Sequence, residues 1–297
     1  MKYKEKQGVC FFVYNNNQLD YVDLLMLAAR YVKEYLKLPV CMITDKGTYS
    51  WMLESQSESD IDTYIDYIKI TNDEFKDNLR THKDSPWSEF TAQFQNSNKH
   101  KIWEYSPFEQ TLLMDTDYIV KNDFLLQSFN NPGVSMYNNA VSTRNDPPHR
   151  NEVLLYPSGI KMWWSTVVYF DRSEFSKMFF DLWDHVADNY EFYQFLYNFP
   201  GGLFRTDYCV SIAVHILNGM EESTTIDNFD DMPMHYISQD DDIIDINNKQ
   251  DWICLGCDQK ENWKNILIKH SNLDLHVMNK RALLRMKPKI VEMFNDS

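Results

Sequence analysis

Two carboxylates stand two residues apart in the stretch TLLMDTDYIV, which runs from Thr111 to Val120. Alternate residues of a strand share a face, so a strand that ends here would project Asp115 and Asp117 to the same side. Like charges this close raise each other's pKa and cost stability when nothing neutralises them. A hard divalent cation removes that cost, because it prefers oxygen ligands. The pair therefore indicates either an acidic surface turn or a metal site, and the rest of the chain has to distinguish them.

The elements around this pair predict an α/β fold. The apolar run over residues 8–14 is typical of a strand buried on both faces, and helical spacing follows over 19–36. A second short strand over 40–44 ends at Asp45. A strand, a helix and a strand in this order form a βαβ unit, which implies a parallel sheet. In such sheets ligands bind beyond the carboxyl ends of the strands, which is where the D-x-D pair lies.

The rest of the chain continues the alternation of strands and helices. Further strands are predicted over 64–70 and 162–170, and helical patterns over 173–199 and 206–217, the last with Thr206 as its N-cap. Residues 71–98 are polar and poorly periodic, and residues 227–251 are rich in Asp, so we expect a solvated loop in the second of these segments. No internal repeat or linker is evident, which favours a single domain.

Composition limits the classes of function. The chain has 297 residues and a formal charge of −15 without a Lys/Arg stripe, which disfavours a nucleic-acid partner. No apolar stretch approaches the roughly 18 residues of a membrane span, and the N-terminal apolar run is too short for a signal peptide. Five cysteines, an odd number, fit a reducing compartment, and the single CxxC at Cys254 and Cys257 is expected to be chance spacing. We therefore expect a cytoplasmic protein.

Several segments, in order, resemble one enzyme family. SPFEQTLLMDTDYIVKND, residues 106–123, resembles the DxD segment of GT-A-fold glycosyltransferases, in particular those of family 8, the glycogenin-like group. In that family the motif meets a manganese ion that bridges the diphosphate of a nucleotide sugar. GVCFFVYNNN resembles the family's first strand and base-binding loop, and MWWSTVVYFD resembles its strand on the sugar and acceptor side. LHVMNK resembles the late HxxGxxK segment, and RTDYCVSIAVHIL resembles a helix start near the donor sugar.

The resemblance implies a GT-A (Rossmann-like) fold, a single domain with a mixed, mainly parallel central sheet flanked by helices. Residues 1–125 would form the nucleotide-binding half and residues 126–297 the acceptor-side half. The abundance of Asn, Lys and Ile suits an AT-rich genome, and the chain is similar to phage-encoded glycosyltransferase-like proteins. In that case it would act in the cytoplasm of the host.

A metal site follows from the resemblance. It implies that Asp115, Asp117 and His276 bind Mn²⁺ or Mg²⁺, with His276 as the third protein ligand. A neutral imidazole can bind the metal while the Lys280 ammonium neutralises phosphate charge. The family glycine is Asn279 here, and the segment is shorter than HxxGxxK. The motif therefore defines the position of Lys280 less well than that of His276.

The resemblance also implies contacts with the donor. Asp207 would be the catalytic residue facing the donor sugar, although an Asp in the first turn of a helix is also favoured by the helix dipole alone. Trp164 would stack on a sugar ring, unless it packs in the core. The residues expected to bind the nucleotide sugar are Tyr14, Asp45, Lys99, Lys101, Asp115, Thr116, Trp164 and Lys280.

The resulting hypothesis is a metal-dependent hexosyltransferase that uses a nucleotide sugar, UDP-linked in the first instance, and an acceptor hydroxyl of unidentified type. The family likeness implies retention of anomeric configuration. One alternative is a nucleotidyltransferase or nucleotide-sugar pyrophosphorylase, which would normally carry a Gly-rich phosphate loop after the first strand, where NNNQLDY has no glycine. The other is a non-catalytic glycan-binding protein of the same fold.

Overall fold

The computed structural model describes residues 5–72, 78–95, 97–144, 153–155, 157–221, 225–229, 232–257 and 265–295. Its strands are β1 (Glu5–Val13), β2 (Val40–Thr44), β3 (Tyr67–Ile70), β4 (Leu79–Ser85), β5 (Ser88–Gln93), β6 (Phe108–Met114), β7 (Tyr118–Ile119), β8 (Val134–Tyr137), β9 (Ala140–Ser142), β10 (Leu154–Leu155), β11 (Ile160–Lys161), β12 (Trp164–Phe170), β13 (Met234–Ile237), β14 (Asp242–Ile246), β15 (Asp251–Gly256), β16 (Ile266–Ser271) and β17 (Leu275–Val277). Its helices are α1 (Tyr21–Tyr31), α2 (Lys46–Ser55), α3 (Glu58–Tyr64), α4 (Ile102–Tyr105), α5 (Glu174–Asp188), α6 (Tyr190–Tyr197), α7 (Thr206–Leu217), α8 (Lys280–Arg285) and α9 (Lys287–Asn295). A π-helical segment (Val32–Leu36) extends α1, and 3₁₀ turns cover Lys99–Lys101 and Phe124–Asn130.

A six-stranded central sheet has the strand order β3-β2-β1-β6-β12-β8. Its first four strands are parallel to one another, and β12 is antiparallel to both of its neighbours. Strands β2 and β12 are buried along their whole length, as their continuous apolar sequences predict. Helix α1 packs against β1 and α7 against β12, so helices flank the sheet. The predicted fold class, α/β with a mixed and mainly parallel central sheet, is confirmed.

A second sheet, of order β7-β17-β13-β9, joins the segment after the D-x-D pair to the C-terminal part of the chain. Strand β17 runs antiparallel to β7, and their register places His276 opposite Tyr118. The Val277 amide donates a hydrogen bond to the carbonyl of Asp117 (2.8 Å). These backbone contacts hold His276 beside Asp117, although the two residues are far apart in sequence.

Two polar segments contain more strand than their sequences predict. The expectation of a solvated loop over 227–251 is wrong, because β13 and β14 lie within it. Residues 71–98, which showed no clear period, contain the hairpin β4–β5. The strands of both segments mix buried positions with exposed or half-buried ones and contain charged or polar residues. Such half-exposed strands lack the continuous apolar run that identified β1 and β2.

Two helix boundaries also differ from the prediction. The helical stretch 173–199 divides at Asn189 into α5 and α6. Thr206 is the first residue of α7 rather than its N-cap, which is Arg205. The Thr206 hydroxyl is instead hydrogen-bonded to the hydroxyl of Ser165 (2.8 Å) on β12.

Two further predictions concern the CxxC pair and membrane-spanning segments. All five cysteines are buried and none forms a disulfide within the described residues. Cys254 and Cys257 belong to no group of three or more metal-type ligands in that part of the chain. Among the helices described, none combines the length and the apolar character that a membrane crossing requires.

Candidate functional site

A cavity of about 500 Å³ opens at the carboxyl ends of β1 and β6. Tyr14 follows β1 and lines this cavity, as do Asp115, Thr116 and Asp117 after β6. Because β12 is antiparallel to β6, its first residue, Trp164, reaches the same edge of the sheet. The cavity therefore lies where open α/β sheets bind their ligands.

Asp117 is the most enclosed carboxylate of the cavity, with 2% of its surface exposed. Its Oδ2 lies 2.5 Å from the Lys280 ammonium and 3.4 Å from Nε2 of His276. Burial disfavours the charged form, but the Lys280 and His276 charges outweigh it and hold the pKa of Asp117 far below its usual range. Asp117 is consequently an anion that is ready to bind a cation.

Asp115 points into the same space from the end of β6. Its amide donates to the carbonyl of Thr166 on β12 (2.9 Å), and its carboxylate accepts a hydrogen bond from Lys99. The Lys99 ammonium also donates to the carbonyl of Ser165 (3.2 Å). Burial raises the pKa of Asp115, Lys99 opposes this effect, and Asp117 reinforces it. Asp117 thus opposes the ionisation of Asp115, as their spacing in the sequence predicts.

The carboxylates and His276 together have the chemistry of a divalent-metal site. One potential ligand atom from each of Asp115, Asp117 and His276 lies within 4.8 Å of the others. The described residues contain no other group of three or more such ligands. Nδ1 of His276 is buried and has no hydrogen-bond partner within that part of the chain. Two carboxylates suit Mg²⁺ or Mn²⁺, and an imidazole adds a nitrogen ligand. These residues fit the metal that the sequence predicts.

Asp207 lies in the first turn of α7 and lines the cavity. One of its carboxylate oxygens accepts hydrogen bonds from the amide (3.0 Å) and hydroxyl (2.9 Å) of Ser165, and the other from Arg205 (3.2 Å). Burial favours the protonated form, but Arg205 and Ser165 outweigh it and hold the pKa of Asp207 below its usual value. Its position is therefore fixed by β12 as well as by the helix end.

The other predicted donor-binding residues divide into two groups. Tyr14, Thr116 and Trp164 line the cavity, and Nε1 of Trp164 is buried with no hydrogen-bond partner in the described part of the chain. The structure does not bring Asp45 and Lys101 to the cavity wall.

Local structure explains why Asp45 and Lys101 do not line the cavity. The Asp45 carboxylate caps α2 by accepting from the amide (2.8 Å) and hydroxyl (3.0 Å) of Thr48. Lys99 and Lys101 share one 3₁₀ turn, in which side chains two positions apart point in different directions. Lys99 is the member of the pair that enters the cavity.

The sequence-based predictions did not include the side of the cavity that the β4–β5 hairpin forms. Arg80 of β4, together with Phe94 and Gln95 after β5, lines the cavity, and so does Ser165. Arg80 and the buried His82 alternate with the exposed Leu79 along β4, which is a weak strand signal within a polar segment.

Comparisons with known proteins give structural likenesses at low identity. Neither a protein-family model nor a curated protein matches the sequence. A structure of the galactosyltransferase LgtC with donor and acceptor sugar analogs is 11% identical over 69% of each chain, with a TM-score of 0.44. Mouse xyloside xylosyltransferase 1 is 9% identical over 75% of this chain and 84% of its own, with a TM-score of 0.40. A Bacillus anthracis protein named as a glucose-1-phosphate thymidylyltransferase is 9% identical over 75% of this chain and 99% of its own, with a TM-score of 0.37. Any assignment of function therefore rests on the geometry of the cavity.

Proposed function

We propose that the chain is a metal-dependent glycosyltransferase of the GT-A type. It would transfer a hexose from a nucleotide sugar to an acceptor hydroxyl with retention of configuration. The first candidate for the donor is a UDP-sugar. The observation that carries the proposal is the convergence of Asp115, Asp117 and His276 at the carboxyl edge of the central sheet. The cavity around them, about 500 Å³, is of the size that small-molecule and cofactor sites have.

The side chains of the cavity have complementary roles in this reaction. A divalent metal held by Asp115, Asp117 and His276 would supply Lewis-acid stabilisation of the leaving diphosphate. Lys99 and Lys280 would add positive charge beside the phosphates. Asp207 would face the donor sugar as a carboxylate whose orientation Ser165 fixes.

Aromatic side chains would bind the neutral parts of the donor. Tyr14 and Trp164 line the cavity, and flat aromatic faces suit bases and sugar rings.

The start of α1 argues against the nucleotidyltransferase alternative. A phosphate loop uses free backbone amides at a helix N-terminus. Here the Asn15 side chain accepts from the amides of Tyr21 (2.7 Å) and Val22 (3.1 Å), which occupies them within the protein. The connection between β1 and α1 also contains no glycine.

A titration of metal and nucleotide tests the proposal. Thermal stability and release of free nucleoside diphosphate would be followed against Mn²⁺ and a panel of nucleotide sugars. We expect a nucleoside diphosphate to stabilise the protein only when Mn²⁺ or Mg²⁺ is present, and Asp117→Asn to abolish that dependence. Turnover of a nucleoside triphosphate would instead favour a nucleotidyltransferase, and glycan binding without nucleotide binding would favour a non-catalytic protein.

Asp171→Asn is the matched control for the loss of a structural carboxylate. Asp171 follows β12 at the end away from the cavity, and it accepts hydrogen bonds from Gly133 and Ser173. This variant should lose stability yet keep its response to metal and nucleotide. If both variants lose the response equally, Asp117 is not a metal ligand.

A further inference from the structure

The charges that line the cavity are unequally paired. Its walls carry the cations Arg80, Lys99, Arg205 and Lys280. Three of these four contact a carboxylate of the cavity: Lys99 contacts Asp115, Arg205 contacts Asp207, and Lys280 contacts Asp117. Arg80 has no carboxylate partner within the described residues. Its charge is available to a ligand without the breaking of an ion pair.

The hairpin β4–β5 directs Arg80 toward the cavity. Along β4 the inward positions are Arg80 and His82, whereas Leu79 is 69% exposed. The Arg80 guanidinium lies 4.9 Å from the centre of the Phe94 ring, which also lines the cavity. Stacking of this kind orients the plane of the guanidinium. The five donors of the group are therefore presented in a defined direction.

Polar contacts hold the hairpin against the rest of the molecule. Lys83 forms an ion pair with Asp240 (3.1 Å), and Asp84 forms another with Arg285 (2.6 Å). At the other strand, the carbonyl of Gln93 accepts a hydrogen bond from the side chain of Asn16 (2.8 Å). These contacts fix both strands of the hairpin against the rest of the molecule. Arg80 is therefore held at the cavity wall before a ligand binds.

Arg80 shares its surroundings with the Asp117–Lys280 end of the cavity. Strand β4 packs against α8, the helix that begins at Lys280. His82, next to Arg80 on the inward face of β4, is buried, and burial together with the Lys280 and Arg80 charges lowers its pKa to about 3, so both cations act on the same imidazole. An anion bound beside Lys280 therefore lies within the field of Arg80.

We propose that Arg80 binds the diphosphate of the nucleotide donor and makes the cavity selective for diphosphates over the bare nucleoside. This inference rests on the proposed function and adds a residue from a hairpin that contains none of the family-like segments. A planar guanidinium donates two parallel hydrogen bonds to a phosphate group, whereas an ammonium acts as a point charge. Arg80 would supply the directed contact, while Lys99 and Lys280 supply charge.

The proposal is tested by measuring how tightly Arg80 variants bind nucleoside diphosphates, nucleoside monophosphates and nucleosides. Dissociation constants would be measured by calorimetry with Mg²⁺ for UDP, GDP, ADP and CDP, and then for the monophosphate and nucleoside of the tightest binder. Arg80→Gln should weaken the diphosphate at least about tenfold, because hydrogen bonds to charged groups contribute about 1.5 kcal/mol or more. It should leave nucleoside binding unchanged. Arg80→Lys should lie between the wild type and Arg80→Gln.

Lys83→Gln is the matched control, because it removes a cation from the same strand without altering the cavity wall. Its diphosphate affinity should equal that of the wild type, and an equal loss in both variants would mean that Arg80 only seats the hairpin. Unchanged diphosphate affinity in Arg80→Gln, with or without a raised KM for an anionic acceptor, would overturn the proposal while leaving the proposed function intact. Failure of the wild type to bind any nucleoside diphosphate would overturn both.

Discussion

At the scale of single residues, the Lys280–Asp117 ion pair is the most buried charge pair of the cavity. Both side chains are more than nine-tenths buried, and the Lys280 ammonium lies nearer to the carboxylate than the His276 imidazole does. Removing one partner of such a pair leaves an uncompensated charge in a medium that solvates it poorly. The pair therefore links the stability of the protein to whatever cation faces Asp117.

Lys280→Met should lower the free energy of unfolding by about 3 kcal/mol in metal-free buffer, because Asp117 loses its main counter-charge. Saturating Mn²⁺ should restore most of this loss, because a cation that binds the folded state stabilises it. Urea unfolding with and without Mn²⁺ measures both effects. Lys177→Met removes the exposed pair with Asp181 and should leave the free energy of unfolding nearly unchanged. An equal loss for Lys280→Met in both buffers would contradict metal binding at Asp117.

A cavity residue can be predicted from the sequence where the residues next to it reveal its position in the fold. It is harder to predict where its position depends on distant contacts. Asp115 and Asp117 follow a buried apolar run, so their exit at the carboxyl edge could be predicted. His276 could be placed beside them only through its motif, since its position depends on the pairing of β17 with β7. Arg80 has no local signal beyond a weak alternation, because its role depends on where the hairpin packs.

At the scale of elements, the start of α1 depends on a residue in the preceding loop. Asn15 accepts hydrogen bonds from the amides of Tyr21 and Val22, and Asp20 accepts another from the amide of Asp23 (2.9 Å). Helix N-termini otherwise leave such donors unsatisfied. Because Tyr14 and Tyr21 both line the cavity, this cap connects the helix start to the shape of the site.

Asn15→Ala should lower the free energy of unfolding by about 1–2 kcal/mol, because two amides of α1 lose their partner. Chemical denaturation monitored by circular dichroism measures the change. The same run of asparagines provides a control: Asn17 is exposed, and Asn17→Ala should alter stability by less than about 0.5 kcal/mol. Equal effects of the two substitutions would show that the loop, rather than the cap, sets the stability.

Prediction of elements succeeded where burial is complete. Strands β1, β2, β6 and β12 each contain a buried run of mainly apolar residues, and their identity requires no knowledge of distant contacts. Strands β4, β13 and β14 each have exposed or half-exposed positions and contain charged or polar residues. Their strand conformation is decided by pairing with other segments, which a local pattern does not contain.

At the scale of the whole molecule, buried neutral histidines make the fold sensitive to acid. His270 lies in β16, and burial lowers its pKa to about 4, with the Lys121 and His235 charges acting in the same direction. Its ordinary pKa is 6.5, so the unfolded chain binds a proton between these values that the folded chain excludes. The stability that His270 contributes is therefore present above about pH 6.5 and is lost as the pH falls toward about 4.

A difference measurement isolates this effect. The free energy of unfolding of the wild type minus that of His270→Asn should fall by up to about 3 kcal/mol between pH 7 and pH 4. Urea titrations across this range measure it. His185→Asn is the control, since it replaces a histidine that is exposed. A flat profile for His270→Asn would mean that the imidazole has the same pKa in the folded protein as in the unfolded chain.

The pairing of β17 with β7 has a consequence for the order of events during synthesis. The ribosome delivers Asp117 long before His276 and Lys280, so the nascent chain carries this carboxylate without the two side chains that face it in the folded protein. The proposed metal centre is complete only after β17 has paired with β7. Occupancy of that centre would then distinguish finished molecules from partly made ones, and bound Mn²⁺ could serve as a read-out of completed folding.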